Sequence, residues 1–285
     1  MLPLKQAPVR QMKTVIDSSD KARLNLQEVF SYSDLLKNLA FRDITIRYKQ
    51  TWLGILWALV KPTFNIAVFG VISMLITKSN NPSESFLTVG AGVIIWNLMT
   101  SCITESSNSL IANSNLLTKV YFPKLILPVS SIMVCLIDFT ISFTIYLIMF
   151  IIFKGLPGPQ FLLFPLFVIL AVTLCLGVGL IFSALNVKYR DVNFALPLAL
   201  QFAYYVSPVF LTTAFYLQHL PNYLRPVFLL NPAVFILDGF RYCLYGTWEF
   251  FDFRYVSASL VVMIILLFFG VRNFLKFEKS FADHI

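Results

Sequence analysis

Long apolar stretches alternate with short charged gaps along this chain. The spacing predicts spanning helices near 55–76, 86–103, 126–152, 161–185, 194–217 and 255–272. A hydrocarbon core about 30 Å thick needs roughly 20 helical residues to cross it, and several of these stretches reach that length. The stretch from Phe194 to Leu217 holds only Gln201 as a strongly polar side chain. Strands of a membrane barrel alternate apolar and polar residues over ~10 positions, whereas these runs are longer and uniformly apolar. The expected class is all-α: a polytopic membrane protein with six transmembrane helices.

The gaps organise the rest. Residues 1–31 are polar and mixed in charge, so they form an N-terminal segment with no cleavable signal peptide expected. Residues 32–54 combine an apolar face, Leu35, Leu36 and Leu39, with Lys37, Arg42, Arg47 and Lys49. A basic amphipathic helix before a span lies in the membrane interface; an ordinary juxtamembrane anchor is the plain alternative. The six-span domain covers 55–285. In it, loop 104–125 places Leu110, Ile111, Leu116 and Leu117 on one helical face, which suits either a docking knob or a connector. Pro123 stops that helix before the third span.

Residues 218–246 are apolar but interrupted by Asn231, Pro232, Asp238, Gly239 and Arg241. A seventh span there would put Arg272, Lys276 and Lys279 outside. Six spans with the N-terminus inside leave sixteen Lys and Arg on the inner side and five outside, with Lys61 in the first helix. That asymmetry follows the positive-inside rule. Residues 218–246 then become an outer element of two short helices dipping partway into the bilayer.

Composition sharpens this picture. Of 285 residues, 58% are hydrophobic, 16% aromatic and 13% charged, about half the charge of a soluble domain. The net charge of +8 belongs to inner loops, and no nucleic-acid partner is expected. The four cysteines form no CxxC pair and suit small buried apolar side chains. No GxxxxGK[ST], HExxH or GxSxG sequence occurs, and the histidines are His219 and His284. The chain is therefore not expected to be an enzyme, and energy from ATP would need another chain.

Polar groups inside apolar runs are costly. Asp138 lies about twelve residues into the third span, and a central carboxylate costs on the order of 2.5–3.5 kcal/mol. It is a functional candidate or a hydrogen-bonded packing contact. Asp238 and Arg241, three apart, are placed to pair on one helix face. Among the 29 Phe, 12 Tyr and 4 Trp, the aromatics Phe202, Tyr204, Tyr205 and Phe210 either line a pore or pack.

The stretch 41–62 (FRDITIRYKQTWLGILWALVKP) resembles the approach to the first span in type-2 ABC exporter permeases that export O-antigen, capsular polysaccharide or teichoic acid. Residues 115–124 (NLLTKVYFPK) are similar to the loop before the third span, and 186–192 (NVKYRDV) to the inner loop after the fourth. Asn231-Pro232 with Gly239 to Tyr242 resembles an outer re-entrant hairpin. The resemblance covers roughly residues 30–285 and is closest in wording to the O-antigen branch.

It implies a permease homodimer bound to two copies of a cytoplasmic ABC ATPase, which holds ATP and Mg, with no cofactor in this chain. The ATPase-coupling residues would be Leu110, Ile111, Asn115, Leu116, Leu117, Lys119 and Tyr121. Arg42, Arg47, Tyr48 and Lys49 would belong to the interface helix on the inner leaflet. Trp57, Phe202, Tyr204, Tyr205 and Phe210 would line a channel for a lipid-linked polysaccharide, and hairpin 218–246 would close its outer mouth. The expected location is the inner membrane, with both termini cytoplasmic. Other classes remain open: a type-2 exporter of a small lipid or drug, or a membrane-embedded glycosyl- or acyltransferase.

Overall fold

The computed structural model describes residues 31–49, 56–78, 81–117, 119, 120, 122–189, 191–248 and 250–278. Among these residues the fold is wholly helical. The elements are α1 (Ser33–Lys49), α2 (Trp57–Thr77), α3 (Pro82–Ala112), α4 (Ser114–Leu117), α5 (Ile126–Lys154), a 3-10 turn (Pro159–Leu163), α6 (Phe164–Lys188), α7 (Val192–Val206), α8 (Thr213–His219), α9 (Arg225–Leu229), α10 (Pro232–Tyr245) and α11 (Phe253–Glu278). Four helical stretches are long and apolar enough to cross a membrane: α3, α5, α6 with its preceding 3-10 turn, and α11. Two shorter apolar helices, Pro62–Thr77 within α2 and Val192–Val206, accompany them.

α3 is the axis of the bundle. In its most apolar stretch 72% of residues are buried, against 22–28% in the other three. α3 is the least apolar of the four, so hydropathy alone does not mark it as the central one. Small residues do. A Cβ on Gly179 would strike Ser106 of α3, and one on Gly270 of α11 would strike the carbonyl of Gly177 in α6. Between helices in lipid, close approach of this kind supplies packing where no hydrophobic drive exists.

Much of the aromatic content fills this core. Phe139 and Phe143 of α5, Phe161 of the 3-10 turn, Phe164 of α6 and Phe240 of α10 form one contiguous stack, with Phe143 and Phe164 centroids 4.3 Å apart. Offset and edge-on rings bury large area in few rotamers. The four cysteines are free and buried, as small apolar residues.

Two predicted boundaries shift. The stretch 86–103 belongs to a helix of 31 residues, so what reads as the start of an amphipathic loop helix is the continuation of α3. The stretch 194–217 is not one helix. α7 ends at Val206, Ser207 is extended (φ −95°, ψ 152°), and α8 begins at Thr213. Pro208 explains the stop: it donates no N–H and drives the residue before it out of the helical region. The segment 32–54 is represented by α1, and its residues 50–54 lie outside the described residues, as do 1–30.

Candidate functional site

Three polar or aromatic clusters occupy successive levels of the bundle. The first joins α1 to α3 and α5. Leu39 and Ala40 of α1 are buried, which seats the helix against the bundle. Beyond them, Arg42 Nη2 donates to Asn113 Oδ1 at 2.6 Å and to Asp43 Oδ1 at 2.7 Å. Further along, Arg47 forks: Nη2 donates to Glu105 Oε1 at 2.6 Å, and Nη1 donates to Asp138 Oδ2. The Tyr48 hydroxyl donates to the other Asp138 oxygen. Burial alone would lower the Arg47 pKa, but the charges of Glu105 and Asp138 outweigh it, so the guanidinium stays cationic. Burial and the bond to Asp138 push the Tyr48 hydroxyl upward, which keeps it a donor.

This geometry resolves the intramembrane acid. Asp138 is hydrogen-bonded and ion-paired, not bare. α1 also does not merely rest beside the first span. Its contacts climb from Asn113, at the end of α3, to Glu105, eight residues or about 12 Å back along that helix. Beside these groups lies a cleft of about 560 Å³ lined by Arg42, Asp43, Arg47, Glu105, Asn108 and Asn113, among others.

The second cluster is the turn after α3. Asn113 breaks the helix, its side chain donating back to Ser109 O at 2.9 Å while its carbonyl accepts from Leu116 N. α4 follows for a single turn. Of the coupling residues expected here, Ile111, Asn115 and Lys119 are exposed, and Leu116 and Leu117 are half-buried. Leu110 is a correction: it is fully buried among Leu39, Phe122, Ile126, Leu127, Leu180 and Phe274. Because α3 continues through residue 112, Leu110 turns inward and supports the turn from beneath. Tyr121 lies outside the described residues. Adjacent to this turn, the Asn186 amide donates to Ser107 O, Asn108 Oδ1 and Asn193 Oδ1, linking the ends of α3, α6 and α7.

The third cluster surrounds α7 and α10. Tyr204 faces inward, packed on Phe69 (5.1 Å), Trp96 (5.9 Å) and Phe210 (6.1 Å). Tyr205 faces outward, and so does Phe202. Neighbouring residues on a helix diverge by about 100°, so the two tyrosines split as that geometry requires. Phe194, Leu198, Phe202 and Tyr205 form one exposed stripe. The side chain of Trp57 lies outside the described residues.

Below Tyr204 the chain leaves the helix, and α10 with its cap Asn231 secures it there. Ser207 and Val209 are buried. Arg241 Nη2 donates to Val209 O at 2.7 Å, Asn231 Nδ2 to Ser207 Oγ at 3.3 Å, and Thr213 Oγ1 to Asp238 Oδ1 at 2.7 Å. Asp238 and Arg241 do pair, but loosely, at 4.0 Å. Their main work is to satisfy the broken backbone between α7 and α8. Such backbone is tolerated at depth only when buried in protein.

Sequence reasoning missed Glu105 and Trp96, and took Asn186 only as the first residue of the 186–192 motif. Glu105 fell just past the expected span, in loop 104–125, and only the longer α3 brings it into the bundle. Trp96 carries no local sign.

The family described as ABC-2 type transporter matches residues 34–245. The chain is 25% identical over 260 residues to the O-antigen export system permease protein RfbA of Myxococcus xanthus, covering 91% of this chain and 98% of that one. It is 27% identical over 267 residues to the protein of the same name from Klebsiella pneumoniae, covering 93% and 99%. The polysialic acid transport protein KpsM of Escherichia coli is 25% identical over 206 residues, covering 70% and 77%.

Proposed function

Because the chain belongs to the ABC-2 type transporter family, we infer that it is the permease subunit of an ATP-driven exporter of polysaccharide. Its energy comes from a separate ABC ATPase, which holds ATP and Mg. The observation that carries this is similarity along nearly the full length of O-antigen export permeases. The cargo is a lipid-linked glycan of the O-antigen class.

In this reading six helices span the inner membrane: α2, α3, α5, α6, α7 with its continuation, and α11. Both termini face the cytoplasm. α1 is the inner interface helix, inclined into the bundle by Arg47. The hairpin α9–α10 is the outer re-entrant element. Two permeases pair with two ATPases. The exposed turn at Ile111, Asn115 and Lys119 docks on the ATPase, which drives the change of state through its unequal affinity for two conformations.

A long glycan needs repeated weak contacts, since one strong site would stall it. Aromatic rings offer apolar faces with few obligatory hydrogen bonds. The stripe of Phe194, Leu198, Phe202 and Tyr205 is the candidate wall of the conduit, backed by the Tyr204–Trp96–Phe69 cluster.

The test is deletion of the chain's gene and measurement of surface glycan. Loss of surface glycan, with accumulation inside and recovery on complementation, is the expected result. Unchanged surface glycan would overturn the assignment.

A further inference from the structure

The Arg47 fork joins two acids on two different helices, and one of those helices ends at the exposed turn. Glu105 lies on α3, eight residues before Asn113, and Asp138 lies on α5. Arg42 grips Asn113 itself, whose carbonyl caps the turn beginning at Ser114. α1 thus holds the turn at one point and an intramembrane acid of α5 at another, five residues or about 7.5 Å further along its axis. The cleft of about 560 Å³ beside these groups leaves room for the side chains to change partners.

We propose that Arg47 is a positioning residue that transmits displacement of the 113–117 turn, through α1, to Asp138 of α5. The proposal rests on the exporter reading and assigns to this network a role in transmission. A guanidinium suits it because its planar fork holds two carboxylates at once. Displacing α3 relative to α5 pulls the two acids apart, and the fork must release one of them. The two alternatives are discrete, as a transmitting element requires.

The experiment uses the complete complex in cells and after purification. Asp138→Asn keeps size and the hydroxyl contact of Tyr48 but removes the charge. Glu105→Gln likewise removes the charge on α3 at nearly constant size. Each is expected to leave permease yield and co-purification of the ATPase near the wild-type level. ATP hydrolysis by the complex should stay within about twofold, while surface glycan per permease falls at least tenfold. Arg47→Lys keeps the charge but loses the fork, so it should assemble normally and export at an intermediate rate. Export within twofold of wild type for both Asp138→Asn and Glu105→Gln would overturn the proposal. Loss of export strictly in step with loss of permease would also overturn it, showing a structural contact only. If Asp138→Asn does not accumulate, Arg47→Lys decides: normal export per permease refutes transmission. A wild-type complex that binds no ATPase would instead refute the exporter reading.

Discussion

Arg241 shows how one residue answers a cost created elsewhere. Pro208 breaks the helix at depth, and the Val209 carbonyl loses its helical partner. Arg241 supplies the donor, and Asp238, itself held by the Thr213 hydroxyl, offsets its charge. Removing one member of a buried charged set costs about 3–5 kcal/mol, because the other is left uncompensated. Arg241→Met is therefore expected to lower the melting temperature of detergent-purified permease sharply. Adding Asp238→Asn to that variant should restore part of the loss; a double variant less stable than the single one would contradict this account. Gly92 belongs to the same set. A Cβ there would meet Val209 O and Arg241 Nη2, so Gly92→Ala should destabilise by about 1–3 kcal/mol through overpacking, read in the same melting assay.

At the scale of elements, continuous helix 82–112 separates neighbours that sequence alone groups together. Leu110 is interior and Ile111 is exposed. Ile111→Arg should insert and accumulate normally while losing the ATPase on co-purification. Leu110→Arg should fail to accumulate, since a charge would replace a fully buried leucine in an apolar cluster. Equal behaviour of the two variants would show that the helix does not present this face. Along α7 the same contrast holds. Phe202→Ala and Tyr205→Ala should reduce surface glycan at normal permease level. Tyr204→Ala should instead lower the permease level, because it empties the space between Phe69, Trp96 and Phe210. Normal export from both Phe202→Ala and Tyr205→Ala would move the conduit elsewhere.

At the scale of the whole molecule, the clusters run from one end to the other. The Arg47 and Asn186 networks lie at the end that carries Asn113 and Lys188, and the hairpin packs toward the end with Lys154 and Glu84, themselves paired at 2.9 Å. The proposed six-span topology would place Tyr223 outside and Lys119 and Lys188 inside. Single-cysteine labelling in a cysteine-free background should mark position 223 from outside and positions 119 and 188 only after permeabilisation. External labelling at 188 would require a different number of crossings.

The chain alone determined its solvent and its class: apolar runs of bilayer length, Lys and Arg gathered in alternate gaps, and no nucleotide motif. It also made the odd residues visible, Asp138, Asp238 and Arg241 among them, because any charge in such runs is conspicuous. Beyond the pairing of Asp238 with Arg241 three residues on, it did not determine their partners. Arg47 meets Asp138 across 91 residues, and Arg241 meets Val209 across 32. Pairings at that distance depend on how helices cross, and crossing is set by small residues and packing spread over several segments. For the same reason hydropathy could not single out α3 as the buried axis, nor say that Tyr204 turns inward and Tyr205 outward. Local pattern fixes the period of a helix; only the neighbours packed against it decide which face is inside.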